Sequence, residues 1–67
     1  MFDKVTAYAG QPVTITTTDG ATVLGTIVST AASFFDLSAD TVGNVDALRP
    51  TLTGGYRLAY ADVAEIA

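Results

Sequence analysis

Residues 19–27 read DGATVLGTI. Asp19-Gly20 is a strong hairpin signal, because both residue types tolerate positive φ. A period of two precedes it. Val13, Ile15 and Thr17 point one way, and Thr14, Thr16 and Thr18 point the other. Such a Thr-rich, β-branched pattern suits a half-buried strand. After the turn a second strand runs from about Ala21 to Thr30, with Val23, Gly25 and Ile27 on one face and Leu24 and Val28 on the other. Glycine inside a strand ordinarily weakens it. A small closed barrel must bend its longest strand, and glycine permits the bend and leaves room for the strand opposite. Gly25 is read here as that bend, the plainer alternative being a tolerated small residue.

Working outward, residues 2–9 place Phe2, Val5 and Ala9 on one helical face. Gly10 ends that turn and Pro12 discourages its continuation. Phe34 to Leu37 resumes as a third strand, with Phe35 and Leu37 on one face. Residues 39–50 break the pattern, either as an irregular loop or as a short helical turn capped by Asn44 and running to Leu48. Thr51 to Tyr60 is extended again, with Gly54-Gly55 as a bulge or bend. Ala61 to Val63 reads as a tight turn before a last strand, Ala64 to Ile66. Five short strands with tight turns predict an all-β fold, a small, strongly bent SH3-like barrel with a short N-terminal helix. Residues 1–67 form one domain on this reading.

A core this small is marginal alone and usually gains help from disulfides, a metal or oligomerisation. The 67 residues include no Cys and no His. Self-association is therefore the expected source of extra stability. With 49% hydrophobic and 15% charged residues, the chain is not of the disordered class. The net charge is −4 and the cations are Lys4, Arg49 and Arg57. That balance argues against non-specific nucleic-acid binding, which relies on dense Lys and Arg. No apolar run approaches the roughly 20 residues of a membrane span. The opening MFDKVTAYAG lacks the features of a signal peptide. The expectation is a cytoplasmic protein with no membrane partner.

The spacing of Val13, Ile15, Asp19, Gly20, Val23, Gly25 and Ile27 resembles the first motif of the Sm-like family, which includes the Sm and LSm proteins and bacterial Hfq. The helical turn before the first strand fits the same family. The segment YRLAYADV at 56–63 is similar to the Tyr-Lys-His-Ala segment of Hfq at Tyr56, Arg57 and Ala59. The resemblance covers most of residues 2–38 and 55–66. It implies an Sm-like barrel, a homo-oligomeric ring of about five to seven subunits, and single-stranded RNA as ligand. It also implies ring contacts between the segments near 56–60 and 64–66 of neighbouring subunits. Tyr56, Leu58 and Ile66 would lie in that contact, with Leu24 and Val28 as its apolar part. Three departures bear on function. The stretch Thr30 to Phe35 lacks the Asp and Asn of the Sm RNA pocket. The Arg-Gly of the second Sm motif falls at Ala59-Tyr60, and the Hfq histidine at Leu58.

Catalysis has little to stand on. Neither His nor Cys is present as base or nucleophile, and the serines have no His partner. The reading is not an enzyme, with no cofactor and no metal. Asp40, Asn44 and Asp46 offer oxygen ligands to a hard cation, but not at EF-hand spacing. For RNA, Tyr56 and Tyr60 are the candidate stacking residues, with Phe34 and Tyr8 beside them, and Lys4 and Arg57 the candidate phosphate contacts. Each has a plainer role: aromatics in a small barrel more often serve core or interface, and Arg57 suits a surface pair with a carboxylate such as Glu65. Two other functions compete with RNA binding. One is a structural or assembly module, such as a virion component. The other is a small protein-interaction domain.

Overall fold

A computed structural model describes residues 2–41, 47–52 and 54–67. The elements in chain order are α1 (Phe2–Ala7), β1 (Pro12–Thr17), β2 (Thr22–Thr30), β3 (Phe34–Thr41), β4 (Arg49–Pro50), β5 (Tyr56–Ala59), a 3₁₀ turn (Tyr60–Asp62) and β6 (Val63–Ile66). The fold is mostly β, with a short N-terminal helix and one antiparallel sheet in the order β4-β5-β3-β2-β1-β6.

Six strands replace the five expected, because 51–60 is not one strand. Gly54-Gly55 is a bend rather than a bulge, and it belongs to the turn between β4 and β5. The Thr51 N–H donates to the Gly55 carbonyl at 2.9 Å, and Gly54 has φ 90°. A second correction concerns residues 61–63, where the chain makes a 3₁₀ turn one residue earlier than the tight turn expected. The proposed cap Asn44 and the proposed cation ligands Asn44 and Asp46 lie outside the described residues.

The β1–β2 hairpin forms where the Asp-Gly pair placed it. Its loop is a three-residue one: the Gly20 N–H donates to Thr17 O at 3.0 Å, and Gly20 alone takes positive φ, at 89°. Asp19 stays at negative φ and works through its carboxylate, which accepts the Thr17 hydroxyl. Thr17 is buried on the inward face, so the turn satisfies a hydroxyl that would otherwise be stranded in the core.

Period-two alternation sets the inside. Val13, Ile15 and Thr17 of β1, Val23 and Ile27 of β2, and Phe35 and Leu37 of β3 are all buried. Val5 of α1 closes one end of this core, fully buried. Ala9, expected on the same helical face, lies beyond the helix and is exposed. There Gly10 turns the chain at φ 78° and its N–H donates to Ile27 O at 2.9 Å, tying the helix end to β2.

Gly25 occupies an inward position for a reason of space, since its φ is not positive. A Cβ there would sit 2.5 Å from the Ser38 carbonyl oxygen and 3.0 Å from Ala39 Cα. The register of β2 on β3 shifts beside it: Leu24 faces Thr41 and Gly25 faces Ala39. A second shift, between Ile27 and Ser29, leaves Val28 unpaired on β3. Bulges of this kind increase local twist and bend.

Chain connectivity requires the bend to be large. Ala59 of β5 pairs with Phe34, and Val63 of β6 pairs with Thr17 at the far side of the sheet. Those two strands stand four strand spacings apart in the sheet order, about 19 Å in a flat sheet. Four residue steps, even fully extended, reach only about 14 Å. The sheet therefore rolls, and the 3₁₀ turn crosses over one end of the core. No ladder among the described residues joins β4 to β6.

Candidate functional site

The outward face carries the polar chemistry. Cross-strand partners share a face, so one row runs from Arg49 on β4 to Arg57 on β5 to Asp36 on β3 and to Ser29 on β2. The Arg57 guanidinium donates through Nε to Asp36 Oδ1 at 2.9 Å and through Nη2 to Oδ2 at 3.3 Å. The same guanidinium lies 4.1 Å over the Phe34 ring centroid. Bidentate pairing and a π-face beneath fix the Arg57 head in one place. Arg49 stands directly opposite Arg57, where like charges destabilise. It is exposed and has no ion pair among the described residues.

Hydrogen bonding from Arg57 holds the Asp36 carboxyl below its ordinary pKa, and the Ser29 hydroxyl adds a smaller lowering. The pair in turn raises the pKa of Arg57. A depressed folded-state pKa contributes stability that is present above the unfolded value. It is lost as pH falls through the folded one. Between about pH 5 and about pH 2, the parent should therefore lose more stability than Asp36→Asn. Denaturant titrations of both proteins across that range check this, and equal losses would count against the pair.

The residues expected to read RNA sit on different elements and differ in exposure. Lys4 is exposed on α1, and Tyr56 is half-buried with its ring packed against the core. Arg57 is already engaged, and its partner is Asp36 rather than Glu65, which lies on β6 beside β1. Phe34 has one face under Arg57. Tyr8 packs partly against the core.

Tyr60 is a correction. Only 9% of it is exposed. Its ring stacks on Phe35 with centroids 5.5 Å apart, Phe2 meets it edge-on at 5.5 Å, and its hydroxyl donates to Ala31 O at 2.6 Å. Burial pushes its pKa up. A ring held on these sides has no face to offer a base.

Two of the expected interface residues are likewise core. Leu58 is fully buried and Ile66 is 7% exposed, both within their own chain. Leu24 and Val28 do point outward, 44% and 67% exposed. Both lie on β2, between β3 and β1, and not on an edge strand of the sheet.

The β4–β5 hairpin was missed in the sequence because the two-residue β4 has no period to detect. Its signal was Gly54-Gly55 itself, which suits a tight reversal as well as a bend. The Asp36–Arg57 pair had a weaker signal: both occupy outward positions of their strands, but only the β3–β5 register brings them together. Comparison of the chain with family models, with curated proteins and with solved structures finds no match.

Proposed function

We propose that this chain is an assembly domain, a small Sm-like barrel that builds a homo-oligomeric ring through its sheet edges. One observation carries the reading: among the described residues the sheet keeps two open edges, with cations at one and a carboxylate at the other. On one side β4 covers only Tyr56 and Arg57, so Leu58–Ala59 of β5 has no outer strand partner among the described residues. On the other side β6 pairs with β1 alone. The first edge carries Arg49 and Arg57, the latter paired with Asp36, and the second carries Glu65, with Asp62 in the 3₁₀ turn before it. Unpaired edges are templates for another strand. Two different edges joined head to tail give a heterologous interface, which closes into a ring when the rotation allows. Docked edges would also cover backbone that a core of this size leaves open, in line with the stabilising role of oligomerisation in small domains.

Single-stranded RNA binding is the second reading, favoured by the outward-facing Arg57 beside half-buried Tyr56 and by exposed Lys4. Symmetry would gather their copies on one ring and concentrate positive potential. The test is sedimentation velocity at micromolar concentration, with and without a labelled oligouridine at low salt. A mass of about five to seven chains is expected. A stable monomer overturns the assembly reading. An intact ring that leaves the oligouridine unbound overturns the RNA reading alone.

A further inference from the structure

The exposed apolar residue that the fold does least to explain is Leu52. It is fully exposed at the turn of the β4–β5 hairpin. This turn is tied internally: besides the Thr51–Gly55 backbone bond, the Gly55 N–H donates to Thr51 Oγ1 at 3.2 Å. A leucine presented on a fixed turn has little ordering left to lose on docking, which favours a role in contact. Arg49, without an ion pair among the described residues, stands at the base of the same hairpin, with Pro50 between it and the turn.

The β1–β2 ladder carries a counterpart. A shallow groove lies over the β1–β2 ladder, lined by Pro12, Val13, Thr14, Leu24, Gly25 and Ala67. Its ladder partners bring Thr14 beside Leu24 on one side and beside Ala67 on the other, where Thr14 and Ala67 exchange both backbone hydrogen bonds at 2.9 Å. Half-exposed Leu24 is its largest apolar side chain. Glu65, two residues before Ala67 on the same strand face, is exposed and has no ion pair among the described residues. So a groove of mixed polarity has an exposed carboxylate on the strand beside it, and an apolar knob has an exposed guanidinium at its base, neither ion-paired among the described residues.

We infer that the β4–β5 hairpin of one copy docks on the β1–β2 groove of the next, with Leu52 seated against Leu24 and Arg49 paired to Glu65. This deepens the assembly reading and rests on it, since the contact is heterologous. Charge complementarity argues for a second copy as the occupant, since this one chain carries both an exposed cation at the hairpin and an exposed carboxylate beside the groove. Copies carrying −4 each repel one another. A self-contact must therefore set one of the three cations on a carboxylate. Arg57 is engaged by Asp36 and Lys4 lies on the helix. Arg49 is the cation left on this edge, and a carboxylate drawn against it also relieves its opposition to Arg57. The apolar seat supplies close packing and the charged pair supplies direction, a division common at interfaces.

The test is a charge swap read by sedimentation or light scattering over a concentration series. The proteins are the parent, Leu52→Asp, the milder Leu52→Ser, Arg49→Glu, Glu65→Arg, and the double variant Arg49→Glu/Glu65→Arg. All three positions are exposed, and circular dichroism verifies each fold. Each single charge variant and Leu52→Asp should weaken self-association by about tenfold or more, and the double variant should recover most of the loss. Single variants that assemble like the parent would overturn the docked hairpin while leaving the edge-built assembly standing. Weakening without recovery in the double variant would overturn the Arg49–Glu65 pairing. A monomeric parent would overturn both readings and leave the hairpin to a different partner.

Discussion

Replacing Tyr60 with alanine is expected to destabilise the chain by about 3–5 kcal/mol, in the range of large aromatic truncations in cores. The residue stands where the chain leaves β5 and crosses to β6. Its ring joins Phe35 of β3 to Phe2 of the helix, and its hydroxyl reaches Ala31 before β3. Truncation opens a cavity between these elements and frees the Ala31 carbonyl of its partner. Tyr60→Phe keeps the ring and removes only the hydrogen bond, at a cost of about 1 kcal/mol. Small domains have total stabilities of about 5–15 kcal/mol, so Tyr60→Ala can consume much of that margin. Urea or guanidinium midpoints of the three proteins measure the ordering. A Tyr60→Ala midpoint equal to that of the parent would show that the crossover does not hold the sheet. Loss of RNA binding in Tyr60→Ala would therefore report unfolding rather than a lost stacking platform.

The second large effect is expected at Gly25. Its Cβ position is taken by backbone atoms of β3, the Ser38 oxygen at 2.5 Å and Ala39 Cα at 3.0 Å, and backbone cannot swing aside as a side-chain tip would. Gly25→Ala should already destabilise. Gly25→Val should cost on the order of 1–3 kcal/mol through overpacking, at the upper end if β3 is forced off β2. Gly55 gives a milder comparison, since its Cβ would meet the Leu37 oxygen at 3.0 Å. An unchanged denaturation midpoint for Gly25→Val would show that the two strands have slack at this crossing.

Much of the sheet was legible because alternation reports directly on burial. Spacing alone grouped Val13, Ile15 and Thr17, then Val23 and Ile27, then Phe35 and Leu37, each set on one face of its strand, and all are buried. Gly25 was legible as a close approach because the neighbouring pattern left no turn for it to serve. Side chains near the crossover were not. Tyr60 and Leu58 fall in a segment whose inside and outside depend on the 3₁₀ turn, and three residues of 3₁₀ geometry leave no period in the sequence. The ion pair failed for a similar reason: choosing Asp36 over Glu65 as the partner of Arg57 needs the strand order, which is a long-range property. The open edges were expected as a feature of a bent barrel. The charges at them emerged only when the strand order set Arg49 beside Arg57 on one edge and Glu65 on the other.

The crossover also bears on how the molecule reaches this shape. β1 completes its hydrogen bonding with β6, Ile15 meeting Ile66 across nearly the whole length of the described chain. The β1–β2 hairpin is local and can zip within microseconds, but the β1–β6 ladder must await closure of a loop spanning everything between. Topologies dominated by such distant pairings fold slowly, in milliseconds to seconds. During synthesis, β1 leaves the ribosome with its partner strand still unmade. The outer edge of β1, bearing Val13 and Ile15 on its inward face, stays bare until β6 follows. Nascent chains held side by side on one messenger would meet at that edge first, so the interval before β6 arrives is when strand exchange between copies has its opening.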